Sequence, residues 1–133
     1  MAGLRGGEVR RPDVPSRQDH LAKAESNQLL SIALQDSPNA DWSVTVLFYA
    51  ALHLVEATLA PHTHSPNHKD RFANIRRDPR LQPIHDDYRY LYDMSLRSRY
   101  NCQVFTAQFV RTMYVARYEF IKQRVQPLLR FTF

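Results

Sequence analysis

Three groupings of polar side chains in this chain have the types and spacing to do chemistry. His53 and Glu56 sit one helical turn apart inside the apolar run Trp42–Leu59. A histidine and a glutamate so placed can share a proton, or join further carboxylates in a metal site inside a helical bundle. The other candidate helices offer few such carboxylates. We therefore expect a buried His53 bonded to Glu56, to Tyr88 or to a backbone carbonyl. His62, His64 and His68 follow in a loop with Pro61 and Pro66. The prolines make that loop stiff, and no carboxylate or thiolate lies among the histidines, so we expect no metal there and no cofactor elsewhere. The third grouping is Tyr88, Tyr90 and Tyr92 with Arg89, Arg97 and Arg99. Such rings stack on bases and such guanidinium groups hold phosphates, but the same residue types also build dimer faces.

The elements that must position these groups read as helices. Trp42–Leu59 is apolar nearly all the way round, which is the pattern of a helix buried on every side. His53 and Glu56 interrupt it, and a membrane span needs ~20 mostly apolar residues, so we expect a bundle core and no membrane partner. Ser16 and Asp19 have the spacing of a capping box for a first helix running to about Gln35, with Leu21, Ala24, Gln28 or Leu29, and Ile32 inward. Asn39 or Asp41 can cap the central helix. A short helix over 69–77 follows, with Phe72 and Ile75 inward. The next helix starts at Asp78-Pro79 or one turn later at Pro83, and carries the seam Leu81, Ile84, Tyr88, Leu91, Ser95 and Ser98. A last helix over about 104–125 places Phe105, Phe109, Met113, Ala116 and Phe120 inward and stops at Pro127. Phe131 and Phe133 then form an apolar end suited to docking on the bundle or on a second copy.

Composition points the same way. In 133 residues the three glycines, Gly3, Gly6 and Gly7, all lie near the start, which leaves no glycine for hairpin turns. Residues 1–16 read as a flexible basic tail, and 17–133 as one all-α domain: an up-and-down bundle of four long helices plus a short one. The lone cysteine, Cys102, excludes an internal disulfide and a cysteine-built zinc cage. With no signal-peptide pattern at the start, a cytoplasmic location is expected. The net charge is +5, with residues 18–67 acidic on balance and 68–133 basic and rich in arginine. Arginine suits forked contacts with phosphate, so RNA or a nucleotide is a candidate partner, although solvated helix faces are often basic too.

Three segments taken in order resemble the HEPN domains, a family of small helical bundles. Phe48-Tyr49-Ala50-Ala51-Leu52-His53 with Glu56-Ala57 is similar to that family's Tyr-Tyr-Ala-x-x-His-x-x-x-Ala helix. His68-Lys69-Asp70-Arg71-Phe72 resembles its His-x-x-Arg/Val-x-x-Phe step, and Ser95–Tyr100 its Arg-x-x-x-Tyr segment. The likeness covers roughly residues 20–126. It implies a homodimer and a role of the toxin–antitoxin or phage-defence kind. Some members cleave RNA without metal through an Arg-x(4–6)-His motif, whereas others lack the motif and bind a partner protein.

On the family's alignment Arg97 or Arg99 is the motif arginine, yet no histidine follows either within four to six residues. Metal-free cleavage needs a group to take the 2′-hydroxyl proton and another to stabilise the phosphorane; Tyr100, with an ordinary pKa near 10, is a poor base. Arg80 and His85 have the right spacing but lie at the start of the penultimate helix. Five residues of regular helix would set them ~140° apart. They converge only if Arg80 stands outside the helix. The expectation is therefore a non-catalytic module that binds RNA, a nucleotide or a cognate protein through Arg71, Arg97, Arg99 and Tyr100, with His53 and His68 nearby. The alternatives are a ribonuclease using Arg80 and His85, and a purely structural dimer.

Overall fold

The computed structural model describes residues 14–101 and 103–130. Most of the 1–16 tail, Cys102, Phe131 and Phe133, with the docking role expected of that end, lie outside the described residues. Among the described residues there are helices and no strands. α1 spans Arg17–Leu34, α2 Ala40–Leu59, α3 His68–Arg77 and α4 His85–Tyr100. α5, residues 107–130, opens on one α-turn, widens into a π-helical stretch over Val110–Val115, and returns to α-helix over Ala116–Arg130. The four long helices and short α3 make the expected up-and-down bundle.

α2 is the axis, packed against α1, α4 and α5. By length and composition it does reach a membrane span, with a mean hydropathy of 1.4, but 78% of that window is buried within the bundle. Burial, more than the two polar residues, marks it as a core helix. Val44, Phe48, Ala51 and Val55 are fully enclosed. Its end is held from afar: the Arg17 guanidinium donates to the carbonyls of Ala57 at 2.7 Å, Thr58 at 3.3 Å and Ala60. Those carbonyls have no partner within the helix, so Arg17 caps α2 while beginning α1. At the other end neither Asn39 nor Asp41 supplies a side-chain cap; the turn closes through the backbone, Trp42 N–H donating to the Asn39 carbonyl.

The capping box of α1 is present, with Ser16 Oγ accepting from Asp19 N and Asp19 Oδ2 accepting from Ser16 N. Its buried face is the expected one at Ala24, with Leu21 and Gln28 half-buried, but not at Leu29 or Ile32. His20, Ala24, Ser31 and Gln35 point inward, while Leu29, Leu30 and Ile32 are exposed. α1 approaches α2 closely enough for Ser31 Oγ to donate to the Ser43 carbonyl at 2.9 Å. A leucine has no room at such a crossing.

α3 starts one residue early, at His68, with Asn67 as its cap. α4 takes the later of the two possible starts: Pro83 lies in a 3₁₀ turn, Gln82–Ile84, that leads into His85. Its seam of Leu81, Ile84, Tyr88, Leu91 and Ser95 is buried as expected. α5 departs more. Phe109, Ala116 and Phe120 face solvent, and Val110, Tyr114, Tyr118, Ile121, Val125 and Leu129 form the inner stripe. A π-helical turn holds more residues than an α-turn, so the stripe that Phe105 begins slips by one position. Nor does Pro127 end the helix, which runs on to Arg130. Pro127 is on the outer face near the terminus, where water can satisfy the carbonyl its missing N–H leaves.

Candidate functional site

Arg71 joins the two polar clusters of the bundle. It projects from α3, and its Nε donates to Glu56 Oε2 of α2 at 2.8 Å. Nη2 donates to the Ser65 carbonyl at 3.3 Å, and Nη1 lies 3.2 Å from His68 Nδ1. An always-charged guanidinium has only donors to offer, so His68 must accept at Nδ1 and carry its proton on Nε2. Burial first, then the charges of Arg71 and Arg99, hold the His68 pKa below its ordinary value. His68 is thus a neutral hydrogen-bond donor with its Nδ1 lone pair occupied.

Beyond His68 lies an aromatic and cationic face. The His68 ring packs on Phe48 and Tyr92 with centroids 5.8 and 5.1 Å away. Arg99, from the last turn of α4, donates to Tyr49 Oη at 3.3 Å and to Ser95 through its carbonyl and Oγ. Its charge also sits over the Tyr49 and Tyr100 rings, 6.0 and 5.3 Å from their centroids. Three of the five guanidinium N–H groups are thereby used and two point to no partner among the described residues. Tyr100 is 71% exposed. An unspent guanidinium between two tyrosines, one of them open to solvent, can hold a phosphate while a base stacks on the ring.

On the other side of Arg71, Glu56 is the pivot. It is 1% exposed, and its Oε1 accepts from Ser65 N–H at 3.0 Å. Ser65 in turn is held by Asn74 Nδ2 through Oγ at 2.9 Å. This pins the 61–67 loop so that His64 Nδ1 comes within 3.5 Å of Glu56 Oε1. His20 of α1 stacks on His64, and its Nδ1 lies 3.0 Å from Nδ1 of His53. Burial is the main reason that both imidazoles of that pair have lowered pKa values, His53 down to about 4.

His68, Arg99 and Tyr100 lie toward one region, but Arg71, expected on the binding surface, is buried behind His68 with Nε, Nη1 and Nη2 all engaged, because it neutralises the buried Glu56. Arg97 does not join them. Two residues along a helix from Arg99 it turns ~200° away, exposed, and its charge is felt by Tyr114 of α5. His53 lies in the second cluster, paired with His20 and not with Glu56, Tyr88 or a carbonyl. Arg80 is forked onto Asp78, with contacts of 2.7 to 3.2 Å, and His85 bonds Asp86 at 3.1 Å and packs edge-on to Phe72. No contact joins Arg80 to His85. Of the loop histidines, His68 belongs to the aromatic face and His64 to the Glu56 cluster. The residues that sequence reasoning missed are His20 and Tyr49. The demand that buried His53 and Glu56 find partners was the only pointer to the first. No protein-family model, curated protein or solved structure matches this chain.

Proposed function

We propose that the chain is a non-catalytic, HEPN-like helical module that binds RNA or a nucleotide on the face made by Tyr49, His68, Arg99 and Tyr100. The observation that carries this reading is the state of His68. Its ring feels the Arg99 charge, and Arg99 keeps unspent donors, but Arg71 occupies its Nδ1, so it can donate to a phosphate and cannot take a proton from a 2′-hydroxyl. The motif resemblance adds the expectation of a homodimer, of a toxin–antitoxin or defence-type setting in the cytoplasm, and of a possible cognate protein. For the cleavage alternative, Arg80 would have to leave Asp78 and His85 to leave Asp86.

The test is anisotropy of a labelled single-stranded RNA over a salt series, together with incubation of the same RNA in excess EDTA. Salt-dependent binding that Arg99→Ala weakens about tenfold and Arg111→Ala leaves alone, with the RNA intact, supports the module. Chelator-resistant cleavage lost in His85→Ala overturns it in favour of the ribonuclease.

A further inference from the structure

We propose that His20, Glu56 and His64 bind a divalent transition-metal ion of the zinc class. One ligand atom from each of the three lies within 4.8 Å of the others. Ligand atoms bound at 2.0–2.2 Å around one ion sit about 3 to 3.6 Å apart. The Glu56 Oε1 to His64 Nδ1 distance of 3.5 Å already meets that, so only His20 has to close in. The donor set of two imidazoles and one carboxylate is one that zinc and its neighbours favour, and it leaves positions for water or another ligand.

The surroundings are those of a braced site. Glu56 keeps a lone pair on Oε1 after accepting from Ser65 N–H, while Arg71 fixes its other oxygen. Partners behind the ligands hold them in place and set their orientation. The His53 contact steadies the His20 ring in the same way. There is also a way in. A cavity of about 150 Å³ is bordered by Arg17, His20, Ala60, Pro61, Thr63 and His64. The His64 side chain, 40% exposed, sits at its outer edge. The competing account is that Glu56 serves only to anchor the loop. That account explains Ser65 and Arg71 but gives no reason for two imidazoles to gather within 4.8 Å of the same carboxylate. Arg71 does oppose the incoming charge, so the affinity expected is micromolar and not that of a closed structural zinc site.

The proposal is independent of the RNA-binding reading. It is tested by titrating the full chain with Zn²⁺ in a calorimeter and with Co²⁺ by visible absorbance. One equivalent should bind, with d–d bands for Co²⁺ and a rise in Tm for either ion. His64→Ala and His20→Ala should each weaken binding at least tenfold. His62→Ala should leave it unchanged. His64 is partly exposed, so its variant keeps the fold, which circular dichroism verifies. The absence of saturable equimolar binding overturns the site, as does binding that survives both His64→Ala and His20→Ala. Equal losses in His62→Ala move the ion into the loop and overturn the assignment as well.

Discussion

The Arg71 guanidinium donates to Glu56 at 2.8 Å with the two side chains 8% and 1% exposed, which ties α3 to the last turn of α2. The pair is hydrogen-bonded on nearly every side, by Ser65 and His68 as well as by each other. Removing one partner of such a pair leaves the other charge buried and uncompensated, at a cost of about 3–5 kcal/mol. Arg71→Leu should therefore lower the unfolding free energy by that order in urea melts. The double variant Arg71→Leu/Glu56→Leu should recover much of the loss, since apolar replacements of a whole buried pair are often neutral. A double variant no better than the single one would mean that the loop contacts through Ser65 dominate.

The same burial makes the histidines sensitive to acid. His20, His53 and His68 all have pKa values below that of an unfolded-chain histidine near 6.5, His53 at about 4. Between those limits the unfolded chain binds more protons than the folded one, so stability rises with pH there. In EDTA, to keep metal out, Tm should fall steadily from about pH 7 toward pH 4 and level off above about pH 7.5, where the unfolded-chain histidines are neutral too. His53→Gln should shallow the slope. A Tm that climbs on acidification through this window would show that the His20–His53 pair is not held neutral.

Stacking and charge on the proposed RNA face can be separated. Tyr100→Ala should weaken single-stranded RNA by about 1–3 kcal/mol without changing the salt slope, because stacking releases no counterions. Arg99→Ala should weaken binding and also reduce the slope by about one unit. Arg97→Ala, on the far side of α4, should change neither by much. Anisotropy titrations at four salt concentrations distinguish the three. If Arg97→Ala has the largest effect, RNA runs along the α4–α5 side and the face around Tyr49 is vacant.

How far the sequence could be read depended on where each helix keeps its signal. α2 and the seam of α4 announce themselves because their buried positions are large and apolar. α1 does so less, since its crossing with α2 is closed by Ala24 and Ser31, while Leu29 and Leu30 are left outside. α5 misled through period: a π-helical stretch over Val110–Val115 shifts a stripe that assumes 3.6 residues per turn. The aromatic face was half legible, as His68, Arg99 and Tyr100 stood in recognisable segments. Nothing in a one-dimensional pattern separates Arg97 from Arg99 until the axis of α4 is fixed. The Glu56 cluster was hidden for a different reason. His20 and His64 come from elements far apart in sequence, and only the loop pinned by Ser65 brings His64 to the carboxylate.

Tyr114 shows what the slipped stripe of α5 costs. Its ring is fully buried and packs against Tyr90, Phe105 and Phe109, with centroids 5.4 to 5.7 Å away. Its hydroxyl is buried with no hydrogen-bond partner of acceptable geometry, and Tyr90 is the phenol beside it. Burial pushes the Tyr114 pKa well above that of a free phenol, so the group stays a neutral O–H with nothing to donate to. An unsatisfied buried polar group costs about 1–3 kcal/mol, and removing it with the ring left in place recovers part of that. Tyr114→Phe should leave stability unchanged or raise it by up to about 1 kcal/mol, whereas Tyr114→Ala should lose about 3–5 kcal/mol through the cavity it opens. Equilibrium urea unfolding of the two variants reads both numbers. If Tyr114→Phe destabilises by 1 kcal/mol or more, the hydroxyl has a bonded partner, and Tyr90→Phe should then cost the same.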